Sequence, residues 1–275
     1  MRRVARLVAI LLFIAPPVRS AERTPTPTPT PTPMRVMFVG NSLTYVNNLP
    51  GVVAAFARAQ PNGAVIETIT YVAPGGTLHE RWTDGVAAAA LRDHRVDVVV
   101  LQERGGVLGC VQSDVDRVSV DCRDALTAHR AFAKLAREVG TRVLLLETWS
   151  TNEEGQAAQH AGALRVAGRT GATVVHAGDA LQAEARATSR AATFPDGVHP
   201  SLGGTLLMAA QIYRAITGVA PTPRSLRIDV ALLPITTAID PKVPMETQQP
   251  TKAPPVYVLE HDALAPILER AARYR

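Results

Sequence analysis

The sequence predicts a three-layer α/β/α sandwich on a doubly wound, five-stranded parallel sheet, and three observations lead there. From Met34 onward, five short apolar runs (RVMFVG, AVIETITYV, VDVVVLQ, RVLLLETW and ATVVHAG) are separated by Ala-rich helical stretches. Strands that alternate with helices pair in parallel, because a parallel crossover needs a connection of helical length. Runs such as VDVVVL and VLLLE are nearly continuous rather than alternating, as strands covered on both faces require. A chain of 275 residues, 47% of them apolar, has ample material for one large core and no sign of wholesale disorder.

Residues 1–20, MRRVARLVAILLFIAPPVRS, begin with Arg2, Arg3 and Arg6, run through an apolar stretch and end at the small pair Ser20-Ala21. That is the pattern of an export signal, with an apolar run too short to span a bilayer. Residues 21–33 carry TPTPTPTPTP, whose alternating prolines forbid helix and sheet and give an extended, semi-rigid spacer. The body, 34–275, places strands on the five runs and helices on 50–59, 79–92, 123–139, 153–169 and 201–217. Pro200 and Gly218 bracket the last of these. Residues 219–260, where eight prolines fall between 219 and 255, read as an irregular wrap around the body. A closing helix is expected over 262–273, and no internal repeat is visible.

Four of the chain's arginines (Arg2, Arg3, Arg6 and Arg19) lie in the leader and account for all but one of the five formal positive charges. The remaining body is nearly neutral and gives little basis for nucleic-acid binding. No stretch is long and apolar enough for a transmembrane segment. Cys110 and Cys122 read as a loop-closing disulfide in an oxidising compartment, expected to contribute about 2–4 kcal/mol. Following the third strand, the segment they close is expected to hang over the crevice as a flap. There is no CxxC, and His79, His94, His129, His160, His176 and His261 stand at no ligand spacing. They read as surface or locally bonded residues, and neither a metal nor a cofactor is expected. Asp114, Asp116 and Asp121 read as a solvated loop.

In a doubly wound sheet the functional crevice lies at the carboxyl ends of the strands, and there the sequence is unusually polar. Gly40-Asn41-Ser42 follows the first run, Pro74-Gly75-Gly76-Thr77 the second, Gln102-Glu103-Arg104-Gly105-Gly106 the third and Thr148-Trp149-Ser150 the fourth; FPDGVHPS, with Asp196 and His199, stands further on. Ser42 offers a nucleophile, His199 an imidazole able to take its proton, and Asp196 a carboxylate that can orient the ring from the same turn. Gly75 or Gly76 allows a backbone N–H to approach a developing oxyanion. Taken singly, Ser42 also reads as a helix cap, Asp196-Gly197 as a turn, and Trp149 as a core-edge aromatic as readily as a pocket wall. Asn41 shapes the loop, any contact to substrate being secondary.

These three blocks, G-N-S-L after the first strand, a glycine turn after the second and D-G-V-H before the last long helix, resemble the SGNH (GDSL-type) hydrolases, which share a flavodoxin-like sheet. The resemblance covers about 35–218. It implies an esterase in which Ser42 is the nucleophile and Asp196 and His199 complete the triad. It also implies that Gly75, with Thr77 two residues later, donates a backbone N–H to the oxyanion beside that of Ser42. One block departs. The family's Gly-x-Asn-Asp is replaced by Leu101-Gln102-Glu103-Arg104-Gly105, as in a divergent branch with GNSLT and LQE motifs. Gln102 or Arg104 then has to replace the asparagine, Gln102 being favoured because it is uncharged. The substrate implied is a small-molecule or carbohydrate ester, with Asn41, Gly76 and Trp149 lining its site. The competing readings are a non-catalytic ligand-binding domain, favoured by the missing asparagine, and a phosphate binder, which leaves Asp196 and His199 unexplained.

Overall fold

The computed structural model describes residues 32–61, 63, 65–111, 119–150 and 152–274. The expected leader, most of the Thr-Pro spacer and the tip of the expected flap, 112–118, lie outside them. Five strands, β1 (Met34–Gly40), β2 (Ile66–Val72), β3 (Val98–Gln102), β4 (Arg142–Leu146) and β5 (Thr173–Val175), form one parallel sheet in the order β2-β1-β3-β4-β5. The helices are α1 (Ser42–Tyr45), α2 (Leu49–Arg58), α3 (Leu78–Thr83), α4 (Val86–Asp93), α5 (Val120–Glu138), α6 (Glu153–Thr170), α7 (Ala177–Ala187), α8 (Arg190–Thr193), α9 (Leu202–Thr217) and α10 (His261–Arg273).

Alternate side chains of each strand serve opposite layers. Val36 and Phe38 of β1, with Val98 and Val100 of β3, pack against Val52 and Phe56 of α2 and Leu206, Met208 and Ile212 of α9. Their neighbours Met37, Val39, Val99 and Leu101 pack the other way, against Leu91 of α4 and Phe132 of α5. Leu145 of β4 meets Ala163 and Val166 of α6. Each such side chain, fully removed from water, contributes about 1.5–3 kcal/mol, and this two-sided demand makes the strand sequences continuously apolar.

The strand order sets the site. The winding reverses between β1 and β3, so the crevice opens at the carboxyl ends of these two strands. In register, Gly40 pairs with Val72 and Val39 with Leu101, so Asn41-Ser42, Ala73-Pro74 and Gln102-Glu103 leave the sheet at one level.

Two stretches differ from the sequence reading. The helix expected over 79–92 is two, α3 and α4, because Gly85 adopts φ +75° between them and ends the helical path. The wrap expected to be irregular contains an antiparallel ribbon of β6 (Ser225–Ile228) and β7 (Tyr257–Glu260). Each strand has only four residues and lies near prolines, too short for a period to show; yet Leu226 and Ile228 alternate cleanly into the core. The same wrap protects the sheet's exposed edge, as Glu246 accepts the Thr70 N–H at 2.9 Å and the Thr70 hydroxyl at 2.7 Å. A disulfide joins Cys110 and Cys122, while the position of the flap they enclose lies outside the described residues. Among the described residues, no helix is long and apolar enough to cross a membrane.

Candidate active site

Ser42 stands on a sharp exit from β1. A Cβ on Gly40 would lie 2.5 Å from Gln102 Oε1 and 2.8 Å from Thr44 Oγ1, so only glycine lets the strand end pass this close to its neighbours. Asn41 is extended (φ −143°, ψ −151°), and its Oδ1 accepts the Leu43 N–H at 3.0 Å. It caps α1, whose first residue is Ser42. After this single turn, Asn47 and Asn48 adopt φ +57° and +53°, a conformation that asparagine tolerates better than other side-chain-bearing residues. Asn47 Nδ2 then donates to the Pro200 carbonyl at 2.9 Å and faces Thr205 Oγ1 at 3.0 Å. The turn carrying the hydroxyl is thereby tied to the segment carrying the imidazole.

Across that tie, Ser42 Oγ lies 2.9 Å from His199 Nε2, and His199 Nδ1 lies 2.7 Å from Asp196 Oδ2. The other Asp196 oxygen accepts the backbone N–H groups of Val198 (2.9 Å) and His199 (2.7 Å). Partial burial works to raise the Asp196 pKa, but those two N–H groups and the imidazole outweigh it and hold the carboxyl below its ordinary value. An ionised Asp196 fixes the proton on His199 Nδ1 and leaves Nε2 as the acceptor for the serine proton.

Opposite Ser42, Pro74 and Gly75 form the centre of a turn closed by the Gly76 N–H to the Ala73 carbonyl at 3.1 Å, with Gly75 at φ +66°. That is the arrangement of a type II turn, which asks for glycine at its third position. Asn41 Nδ2 donates to the Gly76 carbonyl at 2.8 Å, anchoring this turn beside Ser42. The Gly76 N–H is engaged within the turn, whereas those of Ser42 and Gly75 are partnered by no described residue.

The stretch after β3 is used otherwise than expected. Gln102 is buried, and its Oε1 accepts the Asn41 N–H at 3.0 Å and the Thr44 hydroxyl at 2.9 Å, while its amide nitrogen donates to the Glu103 carbonyl. It braces the Ser42 turn from below, and the geometry gives it no contact of an oxyanion donor. Arg104 Nη2 pairs with Asp121 Oδ2 at 3.3 Å on α5. Asn41 and Gly76 are spent on each other and on the loop. Trp149 is buried against Phe194, their rings 6.0 Å apart, and its indole N–H donates to the Val198 carbonyl at 2.7 Å. It props the His199 loop.

Sequence reasoning passed over Glu103. Its side chain is fully buried, and Oε1 accepts the N–H groups of Leu78 (3.2 Å) and Arg104 (2.8 Å), joining the start of α3 to the end of β3. Oε2 faces His129 Nε2 at 3.7 Å, and His129 is itself buried, not a surface residue. Burial raises the Glu103 pKa from 4.5 to about 7 against the opposing pull of those N–H groups, and burial lowers that of His129 from 6.5 to about 4. The folded protein therefore holds the Glu103 proton more tightly than the unfolded chain, and the associated stability is lost as pH rises from 4.5 towards 7. His129 acts in the opposite sense, losing stability as pH falls from 6.5 towards 4. Glu103→Gln keeps the acceptor oxygen and removes the first effect. Its stability relative to wild type is expected to improve by roughly 3 kcal/mol between pH 4.5 and pH 8 in denaturant titrations; a pH-independent difference would contradict the buried carboxyl's role.

Other parts of the site were also missed. Asn47 carries only a weak signal, an Asn-Asn pair ahead of a Pro-bearing helix start. Two of the histidines read as scattered, His160 and His176, meet Glu147 and Asp179 at the ends of β4 and β5.

No protein-family model matches the sequence, and no curated protein matches it. Solved structures do. An acetylxylan esterase from Geobacillus stearothermophilus superposes with a TM-score of 0.53 at 18% identity, over 68% of this chain and 95% of that one. A putative GDSL-like lipase from Parabacteroides merdae gives 0.51 at 16% identity, over 68% and 97%. The chain has the SGNH hydrolase fold. Catalytic mutants of the acetylxylan esterase replace a serine, an aspartate or a histidine by alanine, the last two three positions apart in that chain. Asp196 and His199 have the same separation here.

Proposed function

We propose that this chain is an exported serine hydrolase that cleaves carboxylic esters, with a short acyl group on a carbohydrate as its substrate class. The observation that carries the reading is the continuous chain of contacts Ser42 Oγ to His199 Nε2 to Asp196, at 2.9 and 2.7 Å, at the switch point of the sheet. Ser42 Oγ attacks the ester carbonyl while its proton passes to His199 Nε2, and Asp196 stabilises the imidazolium that forms. The carbonyl oxygen, now an oxyanion, is received by the N–H groups of Ser42 and Gly75, which no described residue engages. The tetrahedral intermediate collapses as His199 returns the proton to the leaving alcohol, giving an acyl-serine. Water attacks this ester with His199 again as base, releasing the acid and regenerating Ser42. Two backbone donors thus serve where the family's asparagine is missing, and Gln102 contributes through the position of Asn41-Ser42.

The carbohydrate preference follows the likeness in fold to an acetylxylan esterase; a small lipid-like ester is the other substrate that fold accommodates. The disulfide suits an oxidising compartment, and with it the reading of 1–20 as a leader, 21–33 as a spacer and 34–275 as the hydrolase body. Acetate release from acetylated xylo-oligosaccharides, set against p-nitrophenyl esters of increasing chain length, tests the proposal. Acetyl esters are expected to give the highest kcat/KM. Preference for long acyl chains would replace carbohydrate by lipid-like substrate, and turnover of none would leave the ligand-binding domain.

A further inference from the structure

Two carboxylates and two imidazoles converge beyond the triad, at the same carboxyl end of the sheet. Glu147 directly follows β4 and His176 directly follows β5, while His160 comes from α6 and Asp179 from the first turn of α7. One ligand atom from each lies within 4.8 Å of all the others. We propose that Glu147, His160, His176 and Asp179 bind a divalent first-row transition cation, Zn2+ foremost. This inference is independent of the hydrolase reading.

The distances suit such an ion. Glu147 Oε2 lies 3.1 Å from His176 Nδ1 and 3.5 Å from His160 Nδ1, and Asp179 Oδ2 lies 2.9 Å from His160 Nδ1. Ligands about 2.0–2.2 Å from a tetrahedral Zn2+ are separated by about 3.3–3.6 Å, so small side-chain shifts close the site. His160 Nδ1 is shielded from solvent and, although near both carboxylates, has hydrogen-bond geometry to neither. With its proton on the other ring nitrogen, Nδ1 would offer its lone pair to a cation held between these carboxylates.

The outer contacts point the same way. Gln156 Nε2 donates to Glu147 Oε1 at 2.7 Å and to Asp179 Oδ1 at 2.9 Å. Its Oε1 accepts the Ser150 N–H at 3.1 Å, which fixes the direction of the amide. One amide thus engages the outer oxygen of each carboxylate and leaves the inner oxygens, Oε2 and Oδ2, facing the imidazoles. Orientation of metal-binding carboxylates by such partners is characteristic of metal centres. In the deprotonated form that a metal ion requires of its ligands, two carboxylates and two imidazoles carry a charge of −2, which a divalent cation neutralises. The imidazole nitrogens favour a transition metal over Ca2+ or Mg2+. Glu147 is fully buried while His160 and Asp179 remain about one-third exposed, so the ion has an approach from solvent. Through Glu147-Thr148-Trp149 and the Trp149 bond to Val198, it would stiffen the segment that supports His199.

Purified full-length protein, stripped with chelator, is titrated calorimetrically with Zn2+ and then with Co2+, whose visible absorption reports four-coordinate ligation. One ion per chain is expected, with tetrahedral Co2+ bands, a higher Tm on Zn2+ addition and no competition from excess Mg2+. His160→Ala and His176→Ala are expected to weaken binding by at least 100-fold, and Gln156→Leu by about 10- to 100-fold, while the exposed His94→Ala changes nothing. No Zn2+ binding by the folded wild type, or undiminished binding by the folded His160→Ala/His176→Ala double variant, would overturn the site. If the histidine variants fail to fold, the near-isosteric Asp179→Asn decides, full Zn2+ affinity counting against the proposal and a large loss for it.

Discussion

Ser42→Ala and His199→Ala are each expected to lower kcat for ester hydrolysis by about 10^4 or more, because nucleophile and base act as one unit. Stability should move little, within about 1 kcal/mol, since the Ser42 hydroxyl has no partner among the described residues other than His199. Asp196→Asn is the more informative companion. Its Oδ1 can still accept the Val198 and His199 N–H groups, so the loop survives, but its NH2 group then faces His199 Nδ1 and drives the proton to the wrong ring nitrogen. Because the Asp196 side chain is 45% exposed, water can partly replace it, and a loss of about 10^2- to 10^4-fold is expected. Steady-state kinetics with a thermal melt on each variant separates these outcomes from simple unfolding. A Ser42→Ala protein that keeps wild-type turnover would remove the triad from the mechanism.

The second large effect belongs to Gln102. Its removal by Gln102→Ala leaves the Asn41 N–H, the Thr44 hydroxyl and the Glu103 carbonyl without their partner in a buried setting. Unsatisfied buried groups cost about 1–3 kcal/mol each, so a loss of about 3 kcal/mol or more is expected after partial relaxation. Activity should fall with it, because Asn41-Ser42 rests on this side chain. A residue acting only as oxyanion donor would behave differently: kcat would drop by about 10^2 at nearly unchanged stability. Denaturant midpoints and kcat measured on the same preparation distinguish brace from donor. Unchanged stability would contradict the brace.

Where the sequence was readable, the signal was local. Continuous apolar runs imply strands covered twice; Ser42 follows Gly40-Asn41, and Asp196 and His199 flank the turn glycine Gly197, at the place where a doubly wound sheet opens. Their convergence needs no more than the strand order. Gln102 was misjudged because its task depends on β1 and β3 lying side by side, which brings it to Asn41 across 61 positions. The free amide imagined at the end of a strand is a buried one with work on both ends. Glu103 was passed over because its role depends on the strand end turning its carboxylate inward, where it accepts the Leu78 and Arg104 N–H groups. His176 and Asp179 share the start of α7, but Glu147 follows β4 and His160 comes from α6, and only packing of α6 and α7 beside β4 and β5 unites the four. The helix broken at Gly85 was hidden by its Ala-rich surroundings.

The most direct test is covalent. A fluorophosphonate probe incubated with the purified protein should attach to Ser42, with the adduct located by mass spectrometry on the peptide that spans GNSLT. Ser42→Ala should remain unlabelled, and His199→Ala should label far more slowly, because the hydroxyl then lacks its base. Folded wild-type protein that takes no label, or a Ser42→Ala variant that labels as well as wild type, would contradict a serine hydrolase built on Ser42, His199 and Asp196.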